Sequence, residues 1–181
     1  MSELSASGFL NPEQAQAYTA ALLHLLGTQN PLHVLRETPT TIERGLERLT
    51  PAQLDAREAP GKWSTRMVVA HLADSELVGG LRIRMVLAHE RPPLAPYDQD
   101  LWADRLHYER ADVRESLDRF SALRRSNLRL WSSASPTELS RVGMHSERGE
   151  ESLEQMLKLY AGHDLAHLHQ LARIRIVVAG Q

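Results

Sequence analysis

The sequence contains no cysteine among its 181 residues. Without cysteine, the chain can form no disulfide and can offer neither a thiolate nucleophile nor a thiolate metal ligand. Any metal site must therefore use nitrogen and oxygen ligands from the chain. A sulfur ligand would have to come from a separate molecule.

Long apolar runs are also absent. No stretch of about 18 consecutive apolar residues occurs, so we predict no transmembrane helix. The first five residues, Met-Ser-Glu-Leu-Ser, contain no basic segment and are not followed by a long apolar one. We therefore predict no secretory signal and expect a cytoplasmic protein.

Neither sign of charge dominates the chain. The formal net charge is −2, whereas a protein that binds nucleic acid electrostatically is expected to be basic. Arginines are frequent between positions 105 and 129, but Asp112, Glu115 and Asp118 are interleaved with them. This mixture is typical of a solvated helix face. We expect no nucleic-acid partner.

Aromatic residues make up only 5% of the chain, and no sustained alternation of apolar and polar residues occurs. We therefore predict an all-α fold without strands. The predicted helices cover about residues 12–26, 39–49, 64–89, 111–132 and 151–179, with loops that include 91–102 and 143–149. The last four helices form a four-helix bundle with long connections. Residues 1–30 are an N-terminal helical appendage, which packs on the bundle or on a second subunit, and residues 31–181 are the bundle domain.

Three histidines lie on predicted core-facing surfaces. His163 and His167 are four residues apart in the last helix and share a face, and His71 lies on the apolar seam of the helix 64–89. Three imidazoles on facing helices can hold one ion and leave a coordination position open, as in catalytic zinc sites. The alternative is three core histidines that are satisfied separately.

The other six histidines do not join this pattern. His169 falls on a different side of the last helix. The remaining five lie in the appendage, at helix ends or in loops, and we expect them at the surface: His24, His33, His89, His107 and His145.

Two alternative catalytic motifs fail on their details. The run from His163 to His167 is similar to the metalloprotease pattern H-E-x-x-H, but Asp164 replaces the glutamate and its side chain is one methylene shorter. Ser75 follows His71 by four residues, but no element for an oxyanion hole accompanies it. We expect neither a zinc protease nor a serine nucleophile.

Three separated motifs, in the correct order, resemble the DinB/YfiT-like family. They are Lys62-Trp63-Ser64 followed by His71-Leu72-Ala73-Asp74-Ser75-Glu76, Tyr97-Asp98-Gln99-Asp100-Leu101-Trp102, and Gly162-His163-xxx-His167. The resemblance covers about residues 35–178. One departure is Ala166, where many members have a second histidine beside the ligand. The three ligand positions themselves are all present.

The resemblance implies a four-helix bundle that commonly dimerises. It also implies a divalent metal, often nickel or zinc, held by His71, His163 and His167. Some members are transferases that use low-molecular-weight thiols, and others are described as metal-dependent hydrolases. We expect a small-molecule substrate and rank thiol transfer first. Zinc and nickel bind sulfur, and because the chain has no cysteine, an external thiol is the only soft ligand available. A metal that lowers the pKa of water to about 7 could equally hydrolyse an ester or amide. A non-catalytic stress-response or binding protein with a vestigial site is a third alternative.

Two further expectations concern the helix 64–89. Asp74 follows His71 by three residues, so we expect its carboxylate to orient a ligand histidine or to act as a catalytic base. The alternative for Asp74 is a salt bridge to an arginine. Gly79 and Gly80 allow a second helix to approach closely, either in a homodimer, which we predict, or within one chain.

Overall fold

The computed structural model describes residues 10–47 and 49–179 and has the predicted four-helix bundle. Its helices are α1 (Pro12–Leu26), α2 (Pro31–Leu46), α3 (Pro51–Asp55), α4 (Thr65–Ala88), α5 (Gln99–Arg105), α6 (Val113–Ser133), α7 (Pro136–Leu139) and α8 (Leu153–Ala179). Helices α2, α4, α6 and α8 form the bundle, and α1 packs along α8. Within the described residues, no helix has the length and apolar character needed to span a membrane.

Side-chain caps fix where the helices begin. Ser64 was predicted to cap α4, and its hydroxyl accepts a hydrogen bond from the backbone N–H of Met67. Asn11 and Gln14 form a reciprocal capping box at the start of α1, with Pro12 in the first turn. These contacts satisfy backbone N–H groups that have no partner inside the helix.

Helix α2 begins eight residues earlier than predicted, so the predicted start at Pro39 is wrong. Asn30 caps the helix, Pro31 occupies its first turn, and Pro39 lies inside it. A proline lacks the N–H that would bond the carbonyl four residues earlier, here that of Leu35. Nη1 of Arg124 donates to this carbonyl at 2.8 Å instead. The helix therefore passes through Pro39 without leaving a buried acceptor unpaired.

The prediction of no strands is wrong at both long connections. Strands β1 (Pro93–Leu94), β2 (Val142–His145) and β3 (Gly149–Ser152) form a small sheet in the order β1-β2-β3. β1 is parallel to β2, and β2 is antiparallel to β3 with Val142 opposite Ser152. Strands of two to four residues are too short for an alternating pattern to appear in the sequence.

Two large apolar clusters of described residues form most of the bundle core. One includes Leu35, Ile83, Trp131 and Met156, and the other includes Ile42, Leu72, Phe120 and Ile174. Between them along α4, α6 and α8 lies a set of buried polar residues, which we call the polar layer: Glu76, Arg124, Asn127 and Asp164. The polar layer therefore crosses the middle of the bundle.

The paired glycines of α4 face neighbours in the same chain. A Cβ atom at Gly79 would lie 2.5 Å from the ring of Tyr160 in α8. A Cβ atom at Gly80 would lie 2.6 Å from the Oδ1 atom of Asn127 in α6. The glycines thus serve close packing within the bundle, and their predicted use in a dimer contact is wrong.

Candidate metal centre

The structure brings together the three histidines predicted as ligands. His71 projects from α4, and His163 and His167 project from successive turns of α8. The Nε2 atom of His163 lies 3.1 Å from Nε2 of His71 and 3.1 Å from Nε2 of His167. Among the described residues, these three histidines form a group whose possible ligand atoms all lie within 4.8 Å of one another.

The spacing of these rings and the tautomer of His167 fit a shared ion. Two imidazole nitrogens that each bind an ion at about 2.1 Å, with an angle of about 95° between them, are about 3.1 Å apart. Nδ1 of His167 lies 2.9 Å from Oε1 of Gln170. A proton on Nδ1 that is donated to Gln170 leaves the Nε2 lone pair facing the other two histidines. The donor set therefore suits a divalent transition metal.

Burial lowers the pKa of all three imidazoles. For His71 and His163, whose pKa values fall well below 6.5, the second cause is the neighbouring charge of His167. For His167, a hydrogen bond to Gln170 and the charge of Asp164 partly offset the effect of burial. All three rings are therefore neutral near pH 7, which is the state that binds a metal.

Aromatic side chains connect Asp74 with the histidines. The ring of Trp63 packs on His71 with centroids 4.9 Å apart, and Tyr108 lies edge-on to Trp63. The Tyr108 hydroxyl donates to Oδ2 of Asp74 at 2.7 Å, and Arg119 lies 3.1 Å from Oδ1. Asp74 is thus outside the three-histidine group, and the predicted alternative of an ion pair with an arginine is present. Its catalytic role stays a prediction.

The polar layer lies directly beside the histidines. Arg124, only 1% exposed, places Nη1 2.5 Å from Oδ2 of Asp164 and Nη2 2.8 Å from Oε2 of Glu76. Asn127 donates to the other Glu76 carboxylate oxygen at 2.8 Å. Because Asp164 follows His163 in the chain, these bonds also fix the part of α8 that carries the ligands.

Sequence reasoning missed Arg124, because it assigned the arginines between 105 and 129 to a solvated face. That assignment is wrong for Arg124. The signal was available, since the core-facing residues of α6 recur at alternating spacings of four and three: Val113, Leu117, Phe120, Arg124, Asn127 and Trp131. The position on this seam, rather than the residue type, indicates burial.

A pocket of about 120 Å³ adjoins His163. We call it the tyrosine pocket, because three tyrosines line it together with charged and polar residues: Tyr18, Tyr97, Tyr160, Ser75, Arg82, His145, Glu147, Arg148, Glu151 and His163. Burial is the main cause of the raised pKa of each tyrosine, to about 12 for Tyr18. Their hydroxyls are therefore neutral hydrogen-bond donors near pH 7.

Helix α1 forms one wall of this pocket through Leu10 at its approach and Tyr18, Thr19 and Leu22 along its length. It packs on α8 where Gly162 precedes His163, and a Cβ atom at Gly162 would collide with the carbonyl oxygen of Leu22. Gly162 in the Gly-His-xxx-His motif therefore lets α1 approach the site. Residues 10–30 of the predicted appendage therefore pack on the bundle, and its residues 1–9 lie outside the described part of the chain.

His145 was predicted at the surface, and that prediction is wrong. It is 3% exposed in β2 and lines the tyrosine pocket. Burial, followed by the charges of Arg148 and Arg82, lowers its pKa to about 3. Its burial depends on a hairpin that the sequence pattern did not predict. By contrast, His169 is exposed, as expected from its position on α8.

Comparisons with known proteins agree with this fold. A family model described as the DinB superfamily matches residues 35–171. The protein named "Putative metal-dependent hydrolase YfiT" from Bacillus subtilis is 32% identical over 146 residues, covering 78% of this chain and 82% of that protein. A protein of Oceanobacillus iheyensis that is also named as a putative metal-dependent hydrolase is 29% identical over 143 residues, 79% of this chain and 83% of its own length.

A solved structure extends the agreement to the whole architecture. The structure of YfiT from Bacillus subtilis, described as a probable metal-dependent hydrolase with an unusual four-helix bundle topology, matches with a TM-score of 0.78 and 25% sequence identity. The match covers 97% of this chain and 93% of the other. The chain therefore belongs to the DinB superfamily.

Proposed function

We propose that this protein is a divalent-metal-dependent transferase that joins a small external thiol to an electrophilic substrate. Zinc or nickel would be held by His71, His163 and His167. The observation that supports this most directly is the convergence of three neutral imidazole nitrogens, one of which belongs to His163 in the lining of a polar pocket. Three imidazole ligands leave coordination positions open for a reactant.

A bound divalent ion would supply Lewis acidity that lowers the pKa of a thiol or water at its open positions. The residues around the three histidines influence the charge, orientation and solvent exposure of the imidazole rings. The charge of Asp164 in the polar layer raises the pKa of His167 and so favours a cation beside that ring, whereas the charge of Arg124 has the opposite effect on His163. Gln170 orients His167, and Trp63 packs on His71, which is 1% exposed and so shielded from water.

Thiol transfer places fewer demands on the neighbouring residues than hydrolysis does. Metal-dependent hydrolysis commonly uses a carboxylate as a general base. Near this site, Asp74, Asp164 and Glu151 are each paired with an arginine, and Glu147 accepts a hydrogen bond from the backbone N–H of Leu10. A thiol needs only to lose its proton and form a sulfur–carbon bond, while the electrophile releases its leaving group. With no cysteine in the chain, that sulfur belongs to a second substrate.

Hydrolysis is the second candidate, and the names of the relatives favour it. The Bacillus subtilis and Oceanobacillus iheyensis proteins are both named as metal-dependent hydrolases. In that case water would replace the thiol, and the tyrosine pocket would hold the ester or amide. A non-catalytic binding or stress-response role is the outcome expected if neither reaction occurs.

One assay separates these functions. Metal-loaded protein is incubated with monochlorobimane and a panel of small thiols, in parallel with ester and amide substrates without thiol. We expect thiol-dependent conjugation, in which sulfur displaces chloride, and we expect its loss in His163→Ala. His169→Ala, which changes an exposed histidine on the same helix, is the matched control and should retain activity. Hydrolysis without thiol would favour the second candidate, and no turnover would overturn both.

We further propose that the protein works in the cytoplasm as a homodimer. The family resemblance supports pairing, and Leu77 and Leu81, 51% and 61% exposed on successive turns of α4, offer apolar surface for it. Light scattering should give twice the chain mass of 20.4 kDa. A mass of one chain across micromolar concentrations would contradict the dimer, and recovery of the tag-free protein in a membrane or extracellular fraction would contradict the location.

A further inference from the structure

Arg82 is a buried cation without an anionic partner in the described part of the chain. It is 7% exposed on α4 and lines the tyrosine pocket. One guanidinium nitrogen, Nη2, donates to the carbonyl of Ala95 at 2.5 Å, and Nε has no hydrogen-bond partner among the described residues. The other two buried or half-buried arginines near the site, Arg124 and Arg148, are both paired with carboxylates.

An uncompensated buried charge is costly, so its retention suggests that an anion completes the site. The neighbouring groups are also donors. Nδ1 of His145 accepts a hydrogen bond from the backbone N–H of Glu147, which places the ring proton on Nε2, and Nε2 has no partner among the described residues. The hydroxyls of Tyr18, Tyr97 and Tyr160 add neutral donors to the same pocket.

The acidic residues of the pocket leave Arg82 uncompensated. Glu151 is held by Arg148 through two contacts of 2.9 and 3.0 Å. Glu147 accepts a hydrogen bond from the backbone N–H of Leu10 at 3.1 Å. Neither carboxylate lies within ion-pair distance of Arg82 in the described structure. The guanidinium of Arg82 can therefore form an ion pair with an anionic ligand.

We propose that Arg82 anchors a carboxylate group of a small-molecule substrate in the tyrosine pocket. Binding of the carboxylate does not depend on the proposed thiol transfer. The further statement that the bound molecule is a reactant does rest on that proposed function. His163 lines the same pocket, so an anchored molecule would lie beside the candidate metal centre. The pocket volume of about 120 Å³ suits a small ligand of several non-hydrogen atoms.

The binding test compares charged and neutral molecules of equal shape. Calorimetry on the full-length protein as purified, with its metal content measured, would use benzoate against benzamide and succinate against succinamide. We expect the carboxylates to bind and the amides to bind at least about tenfold more weakly, because hydrogen bonds to charged groups are the stronger ones. Equal affinity for acids and amides would overturn the proposal.

Variants then show whether Arg82 is the anchor. Arg82→Gln should weaken carboxylate binding about tenfold or more at unchanged metal content, and Arg82→Lys should restore part of it. Arg125→Gln, which changes an exposed arginine on α6, is the control and should bind like the wild type. Circular dichroism confirms that each variant is folded. Wild-type carboxylate affinity in Arg82→Gln would mean that the metal or another group binds the anion, and would overturn the proposal.

Kinetics identify which reactant carries the carboxylate. An electrophile would be compared with its methyl ester, and 3-mercaptopropionate would be compared with 2-mercaptoethanol. In one of the two pairs, Arg82→Gln should raise KM for the compound that carries the carboxylate and leave KM for its neutral counterpart unchanged. If the protein shows no turnover, the proposed function fails while the calorimetric result still stands. If carboxylates do not bind but turnover occurs, the Arg82 proposal alone fails.

Discussion

Arg124 donates a hydrogen bond to the backbone carbonyl of Leu35, 2.8 Å away on another helix. The carbonyl needs this donor because Pro39, four residues later in α2, has no N–H to offer. The same guanidinium bonds Glu76 and Asp164. One buried side chain of α6 thus joins all four helices of the bundle and compensates for the proline in α2.

Arg124→Met is therefore expected to destabilise the protein by about 3–5 kcal/mol, because it leaves two buried carboxylates without their cation. Urea unfolding followed by circular dichroism measures the change. Arg125→Met removes an exposed arginine from the next position of the same helix and should change the free energy of unfolding by less than about 0.5 kcal/mol. Equal effects of the two substitutions would contradict the role given to Arg124.

Gly162→Ala tests the packing of α1 beside the metal centre. The new Cβ atom would collide with the Leu22 carbonyl, so we expect a loss of about 1–3 kcal/mol in stability and faster hydrogen exchange in α1. Gly45→Ala is the matched control, because a Cβ atom there meets no atom within 4 Å, and it should stabilise the protein by about 0.4–1 kcal/mol. Wild-type stability and exchange in Gly162→Ala would show that α1 does not pack there.

His145 should make stability depend on pH. Its pKa is about 3 in the folded protein, below the ordinary 6.5, because of burial and the charges of Arg148 and Arg82. The unfolded chain therefore binds more protons between these two values, and this contribution to stability is complete above about pH 6.5 and declines as the pH falls toward 3.

In His145→Asn, the amide oxygen can still accept from the Glu147 N–H but does not titrate. We expect the melting temperature of this variant to fall less between pH 7 and pH 4 than that of the wild type. The three ligand histidines are present in both proteins, so the difference isolates His145. Parallel curves for the two proteins would contradict the lowered pKa.

Asp74→Asn tests the proposed role of this carboxylate at the site. Asparagine can still accept a hydrogen bond from Tyr108, so the fold should persist, while metal affinity or turnover should fall about tenfold. Arg119→Met removes the ion pair but leaves the carboxylate, and should retain activity. If Asp74→Asn binds metal and turns over like the wild type, the residue serves only the contacts with Tyr108 and Arg119.

The long helices and the three histidines could be predicted because they repeat a pattern over many residues. Helices α4 and α8 carry apolar seams over six turns or more, and His71 and His167 lie on those seams. The spacing of four between His163 and His167 then fixes their relative position on one helix. The approach of His71 follows from the packing of two such seams in a bundle.

The remaining features depend on contacts between distant parts of the chain. In the sequence, Pro39 indicates the start of a helix. Its place in the interior of α2 is explained by the hydrogen bond that Arg124 donates to the carbonyl of Leu35. His145 is buried by a hairpin of two short strands, which leaves no periodic signal. Arg82 faces a pocket whose walls come from α1, α4, α8 and the segment around Tyr97. No local pattern in the sequence brings these segments together.

The most direct test of the central claim is the metal content of protein purified without a histidine tag. Elemental analysis, before and after dialysis against zinc or nickel, should give about one divalent ion per chain. The ion should be lost in His163→Ala and retained in His169→Ala, because His169 is exposed on the same helix. A wild-type protein that binds no divalent metal, or a His163→Ala variant that binds as much as the wild type, would contradict the claim that His71, His163 and His167 form a metal centre.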